Sequence, residues 1–192
     1  MGAAVLVPVK AFSRAKLRLA PALDGPARAD LARRMAGHVV AAAAPLPVSV
    51  VCDDAEVAAW AAEHGAAVVW TPGLRLNGAV GRGVTYLHGL GYSRVIVAHA
   101  DLPLARSLDD LAVGEGVALV PDRHDDGTNV AVVPAHAPFR FAYGPGSFDR
   151  HRREGERLGL AVHVRRMPEL AWDVDVPADL LLPSVPGVLP CS

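Results

Sequence analysis

Cysteine is scarce in this chain, with only Cys52 and Cys191 among 192 residues. Two cysteines at that separation make neither a disulfide framework nor a metal-ligand spacing. Aromatic residues are also few, at 5% of a chain that is 52% hydrophobic, so the interior must be built from Ala, Val and Leu. No apolar run reaches the ~18 residues a membrane span needs without meeting a charge or a proline. Met1 to Val9 carries no basic leader, so a cytoplasmic setting is expected. The formal net charge is −1 with the basic residues spread along the chain, which argues against nucleic acid or an anionic membrane as the main partner. There is no Walker loop, no Gly-x-Gly-x-x-Gly, no Gly-x-Ser-x-Gly elbow and no Cys-x-x-Cys, which leaves hydrolase nucleophiles and redox cofactors with little support.

Lysine is the scarcest charged residue of all. Of 19 basic residues only Lys10 and Lys16 are lysine, and both follow the first apolar run. A chain that uses arginine everywhere else and a compact ammonium at two neighbouring positions suggests phosphate contact there.

The run Ala3 to Val9 has the length and continuity of a buried parallel strand. Helical spacing follows over Ala27 to Ala44, a strand over Val48 to Cys52, and a helix from Asp54 to about Gly65 with Asp53 or Asp54 as its cap. Further along, strands are expected at Ala66–Trp70, Arg94–Ala98, Val117–Val120, Val130–Val133 and Ala161–Arg165. Helices are expected at Asn77–Leu90, Leu108–Val113, Ser147–Leu158 and Ala178–Leu182. This alternation implies an α/β fold, a three-layer sandwich around a mostly parallel sheet, as one domain over residues 1–182 with a loose tail at 183–192. Ligands then belong at the carboxyl ends of the strands, where Lys10, Asp53, Thr71, Asp101 and Asp122 fall.

Four constellations carry chemistry. A buried strand runs through His99 into Asp101 and is stopped by Pro103, which places a carboxylate where it can hold Mg²⁺; His99 itself reads as a packed strand residue. Asp173 and Asp175 alternate along an extended segment, so their side chains converge, although Asp175 could instead cap a helix starting at Pro177. The loop Asp122–Asn129 and the loop Tyr143–Phe148 flank one short apolar run, and their Gly/Pro turns with Thr128 and Ser147 suit an anion. An EF-hand is excluded there, because His124 holds the third loop position and Val133 the twelfth. Lastly, Asn77 and Gly78 open a helix after the Thr71-Pro72-Gly73 turn, where a planar base could lie against the backbone; a plain Asn cap would explain the pattern equally well.

With these residues in hand, the sequence resembles the 2-phospholactate / phosphoenolpyruvate guanylyltransferases of coenzyme F420 biosynthesis. The blocks that carry the resemblance are Val7-Pro8-Val9-Lys10 with Ala15-Lys16 and Arg18-Leu19, Ala100 to Pro103, Pro121 to Asn129, Tyr143 to Phe148, and Asp173-Val174-Asp175-x-Pro177 with Asp179-Leu180. They run in order over residues 3–182. The resemblance implies a Rossmann-like, GT-A-like nucleotidyltransferase fold. It also implies a reaction in which the phosphate of a three-carbon acid attacks the α-phosphate of GTP and releases pyrophosphate. Carried over residue by residue, Asp101 and Asp173 would hold Mg²⁺ with Asp175 helping. Lys10, Lys16 and Arg18 would neutralise the triphosphate. Thr128, Gly144 and Ser147 would bind the acceptor, and Asn77 and Gly78 would contact guanine. Leu17 stands where the family usually has serine. Phosphoenolpyruvate is the expected acceptor, with 2-phospho-L-lactate and 3-phosphoglycerate open, as are another acceptor such as a molybdopterin or sugar phosphate and a non-catalytic nucleotide-binding module. Partners are expected to be small molecules, with no nucleic acid and no membrane; homodimer formation is open.

Overall fold

The structure is a computed structural model and describes residues 2–181. Its seven strands are β1 (Ala3–Pro8), β2 (Val48–Cys52), β3 (Ala67–Trp70), β4 (Arg94–Ala98), β5 (Val117–Pro121), β6 (Thr128–Pro134) and β7 (Val162–Val164). They form one sheet in the order β3-β2-β1-β4-β6-β5-β7. Only β6 runs against its neighbours β4 and β5, and every other pairing is parallel. This is the mostly parallel mixed sheet expected from the alternation of elements.

The period-two pleat divides the core into two layers. Val5, Val7, Val50, Ile96 and Val132 pack on one face, beneath α1 (Gly25–Ala42) and α2 (Ala55–Glu63). Ala4, Leu6, Val51, Val97 and Val133 pack on the other, beneath α3 (Leu76–Gly89). α4 (Ser147–Arg157) covers β5 on that second side. Because both faces are covered, strands such as Ala3–Pro8 read as continuous apolar runs rather than alternating ones. The glycine interrupting α3 has a packing cause: a Cβ on Gly83 would stand 2.6 Å from Leu6 and 2.8 Å from Val51, so only glycine lets this helix approach the sheet so closely.

Several boundaries differ from the expected ones. α1 begins two residues early because Asp24 accepts the Ala27 N–H at 2.8 Å and Pro26 occupies its first turn. Asp54, not Asp53, caps α2 through the Val57 N–H at 3.1 Å. The segment 108–113 contributes a single 3₁₀ turn, Asp109–Leu111. β6 extends back to Thr128, and a short helix α5 (Pro168–Ala171) that the sequence pattern did not suggest buries Leu170. The last expected helical turn is a 3₁₀ segment, Pro177–Leu181; Leu182 and the expected tail 183–192 lie outside the described residues. Because β6 is reversed, its first residue and the 122–127 loop before it share a sheet edge with the carboxyl ends of β1, β2 and β4.

Candidate active site

A cavity of about 670 Å³ opens at that edge. Leu74, Leu76 and Ala79 supply apolar wall, while Lys10, Arg14, Lys16, Arg18 and Arg75 bring positive charge to its lining. Asp53, Thr71, His99 and Asp101 enter from the ends of the strands. A lining that combines apolar side chains with a group of cations suits a ligand with a flat ring at one end and phosphates at the other.

The electrostatic centre is Lys16. It sits in the left-handed region, at φ 52°, between two 3₁₀ turns (Phe12–Arg14 and Leu17–Leu19), and its side chain is only 10% exposed. Its Nζ donates to Asp101 Oδ2 and, at 3.0 Å, to Asp175 Oδ1. Burial works against the ammonium, but the charges of Asp101 and Asp175 outweigh it and raise the pKa above the usual lysine value. Asp101 mirrors this: burial penalises its carboxylate, yet Lys16, with His99, holds it below the ordinary range. Asp101 Oδ1 is buried and has no hydrogen-bond partner. Arg18 stands 3.8 Å from Asp175. The pKa of Asp173 is pushed up to about 6, by burial first and then by the charges of Asp101 and Asp175. The Val174 N–H donates to the Asp101 carbonyl at 3.3 Å, stitching the two acidic segments together.

Asp101, Asp173 and Asp175 are thus neighbours, but they do not form the shared cage expected of them. Among the described residues no three Asp, Glu, His or Cys side chains are grouped as ligands of one ion. The ammonium of Lys16 lies between Asp101 and Asp175, and Asp173 leans on Arg123 at 3.5 Å. The donor set still fits Mg²⁺. A hard, reluctantly dehydrated cation takes one or two carboxylates plus phosphate oxygens rather than an all-protein cage. The unpartnered Asp101 oxygen and the mutually repelling Asp173 are the groups such an ion would satisfy.

The loops behave differently from the open anion cradle expected of them. The Asp122 carboxylate is engaged in its own loop: Oδ1 accepts from the N–H groups of His124 and Asp126, and Oδ2 from Gly127. Thr128 and Ser147 are buried and face each other, the Thr128 N–H donating to Ser147 Oγ at 3.0 Å. Asn77 is not a helix cap; its Oδ1 accepts the Tyr143 N–H at 2.8 Å and ties α3 to the Gly144 loop. Neither Asn77 nor Gly78 lines the cavity. Arg150 gathers the carbonyls of Ala142, Gly144 and Pro145, and the Ser147 N–H bonds to Gly144 O. The Tyr143 and Ser147 amides are therefore withdrawn from the expected concavity, while Gly144, at φ 117°, stays exposed at its rim. His99 is packed as expected, with its ring 4.8 Å from that of Tyr143, and burial lowers its pKa.

Sequence reasoning missed five residues here. Arg14 and Arg75 border the cavity; proximity to Lys16 and to the Gly73 turn was the available signal. Arg123 and Asp179 organise the 173–179 segment, and the only hint was their place in the quoted blocks. His151, wholly buried, was missed altogether. Its Nε2 accepts the Ala142 N–H at 2.9 Å, so the proton sits on Nδ1 and is donated to Thr128 Oγ1 at 3.0 Å. Burial, with help from the charges of His99 and Arg150, depresses its pKa to about 4. Since the unfolded histidine titrates near 6.5, the unfolded chain binds the extra proton first as pH falls. The stabilisation is therefore complete above about pH 6.5 and lost on the way down through pH 4, amounting to about 3 kcal/mol. Urea unfolding across pH 4–7.5 should show that slope, and His151→Leu should flatten it; an unchanged slope in the variant would move the effect elsewhere.

A mostly parallel sheet with lysines and carboxylates gathered at its carboxyl edge is the arrangement of the nucleotidyltransferase class of α/β protein. Solved structures agree on the fold: CMP:2-keto-3-deoxy-manno-octonic acid synthetase superposes with a TM-score of 0.60 at 14% identity, covering 94% of this chain and 95% of that one. A nucleotidyl transferase from Methanothermobacter thermautotroptrophicus gives 0.58 at 16% identity, covering 94% of both. The chain belongs to the guanylyl transferase CofC-like family, whose model matches residues 3–184. It is 37% identical to phosphoenolpyruvate guanylyltransferase of Sphaerobacter thermophilus, over 91% of this chain and 89% of the relative. It is also 37% identical to the enzyme of that name from Roseiflexus castenholzii, over 95% and 88%.

Proposed function

We propose that this protein transfers the guanylyl group of GTP to phosphoenolpyruvate in coenzyme F420 biosynthesis, in the cytoplasm and with Mg²⁺. A phosphate oxygen of the acid attacks the α-phosphorus in line, a P–O bond forms there, and the bond to the β-phosphate breaks to release pyrophosphate. The nucleophile is already an anion, so no general base is needed, and the protein acts by positioning and charge neutralisation. The reading rests on family membership and on one observation above all: the Asp101 carboxylate at the cavity edge, one oxygen on Lys16 and the other buried without a partner.

In this reading Asp101 and Asp173 hold Mg²⁺, and Asp175 helps them. When bound, the ion neutralises charge developing on the phosphate oxygens. Lys10 and Arg18 meet the triphosphate, and Lys16 supplies positive charge where triphosphate and carboxylates converge. The acceptor lies against the Gly144 loop and the start of α4, with Thr128 and Ser147 holding that start in place. Asn77, with Gly78 beside it, belongs to the guanine side, and Asn77 fixes α3 to the same loop. Incubation with Mg²⁺, GTP and phosphoenolpyruvate should release pyrophosphate in a coupled assay. 2-Phospho-L-lactate, 3-phosphoglycerate and a panel of nucleoside triphosphates serve as comparisons. Equal release from ATP or CTP, or none with any three-carbon phospho-acid, would overturn the proposal.

A further inference from the structure

Arg123 lies outside the cavity lining, yet it touches several of the groups that orient the second acidic segment. Its Nη1 donates to the Asp173 carbonyl at 3.1 Å and stands 3.5 Å from Asp173 Oδ1. Its Nη2 forms an ion pair with Asp179, which is 2% exposed. The guanidinium lies 4.2 Å over the Trp172 ring. Asp179 in turn accepts the N–H groups of Asp175 at 2.7 Å and Val176 at 2.8 Å. One side chain from the 121–127 loop thus fixes three successive features of the other segment: the Trp172 ring, the Asp173 peptide and carboxylate, and, through Asp179, the Asp175 backbone.

No strand or helix includes residues 173–176, so no regular hydrogen-bond ladder sets the direction of the two aspartates. We infer that Arg123 is a positioning residue that holds Asp173 and Asp175 in register with Asp101 for a divalent cation and its phosphates. The inference rests on the assignment of Asp173 as a metal-binding carboxylate. A planar fork is needed here, since it makes two parallel contacts while stacking on an indole; an ammonium can keep the Asp179 ion pair but not the rest.

Partners that orient metal ligands typically contribute 10–100-fold in metal affinity or activity. Arg123→Met should raise the half-saturating Mg²⁺ concentration about tenfold, with kcat at saturating Mg²⁺ within about threefold of wild type. Arg123→Lys should fall between the two. Because Met leaves the buried Asp179 charge unpaired, Asp179→Asn is the second variant. It keeps an acceptor for the two N–H groups and should shift Mg²⁺ dependence in the same direction. Mn²⁺ binding in the presence of GTP, followed by electron paramagnetic resonance on folded protein, reads the same weakening without turnover. If folded Arg123→Lys and Asp179→Asn proteins bind Mn²⁺ as wild type does, while Asp173→Asn abolishes binding, the positioning role is wrong and the carboxylate assignment stands. If Asp173→Asn binds Mn²⁺ normally, the assignment beneath it is wrong instead.

Discussion

Asp101→Asn is expected to lower the rate of pyrophosphate release at saturating GTP and phosphoenolpyruvate by about 10²–10³-fold while leaving the chain folded. The substitution keeps shape and volume, so the Ala98–Asp101 segment and its contact to Val174 should persist. What goes is a full negative charge at a carboxylate whose second oxygen is buried and unmet. Preorganised charge aimed at a transferring phosphoryl group has an effect of that size when removed. Lys16 retains Asp175 at 3.0 Å, so its buried ammonium is not left alone. Asp173, relieved of one repelling neighbour, should titrate closer to an ordinary aspartate than the present value of about 6. Steady-state kinetics with a Mg²⁺ titration and a melting curve check this together. A folded variant within about threefold of wild type would reduce Asp101 to a structural partner of Lys16.

The fold was largely legible because its signals are local. A strand buried on both faces must be mostly apolar, and Ala3–Pro8, Val48–Cys52 and Arg94–Ala98 announce themselves that way. Asp54 at a cap is equally local, since the bond spans three residues. The candidate site was legible only as a set of residue types. That Lys16 would point at Asp101, 85 positions away, follows from how the loop after β1 lies across the end of β4, and no spacing encodes it. The same holds for Thr128, Ser147 and His151. A Thr and a Ser in Gly-rich loops look like ligands for an anion, whereas the structure uses them with a buried histidine to lock β6 to α4. Asn77 is the same case: a good candidate for reading a base edge, and in fact the anchor of Tyr143. Polar residues beside a site are needed twice, once for ligands and once to satisfy the loops that hold them, and sequence alone does not separate the two uses.

The scarcity of lysine finds its physical meaning at Lys16, where the second large effect is expected. An ammonium is a compact point charge and can sit between two carboxylates in a space too small for a guanidinium fork. Lys16→Met removes the charge but keeps the stem, leaving Asp101 and Asp175 to face each other without it. Turnover at pH 7.5 should fall by about 10²-fold or more, and Lys16→Arg should recover little of it. The stability consequence has a definite sign. In the wild type the Asp101 pKa lies below its unfolded value, so its contribution is present above about pH 4 and lost only in acid. Without Lys16 the main opposition to burial is gone and only His99 and a backbone hydrogen bond remain, so the Asp101 pKa should rise above the unfolded value and the ionised form should destabilise the fold at neutral pH. Protonation relieves that penalty, so the gap in melting temperature between Lys16→Met and wild type should narrow as pH falls from 8 to 5. Added Mg²⁺ should narrow it too, by giving the carboxylates another counter-charge. A gap that stays constant with pH and with Mg²⁺ would mean that Lys16 acts through packing alone, and the charge-balanced centre on which the catalytic reading depends would lose its basis.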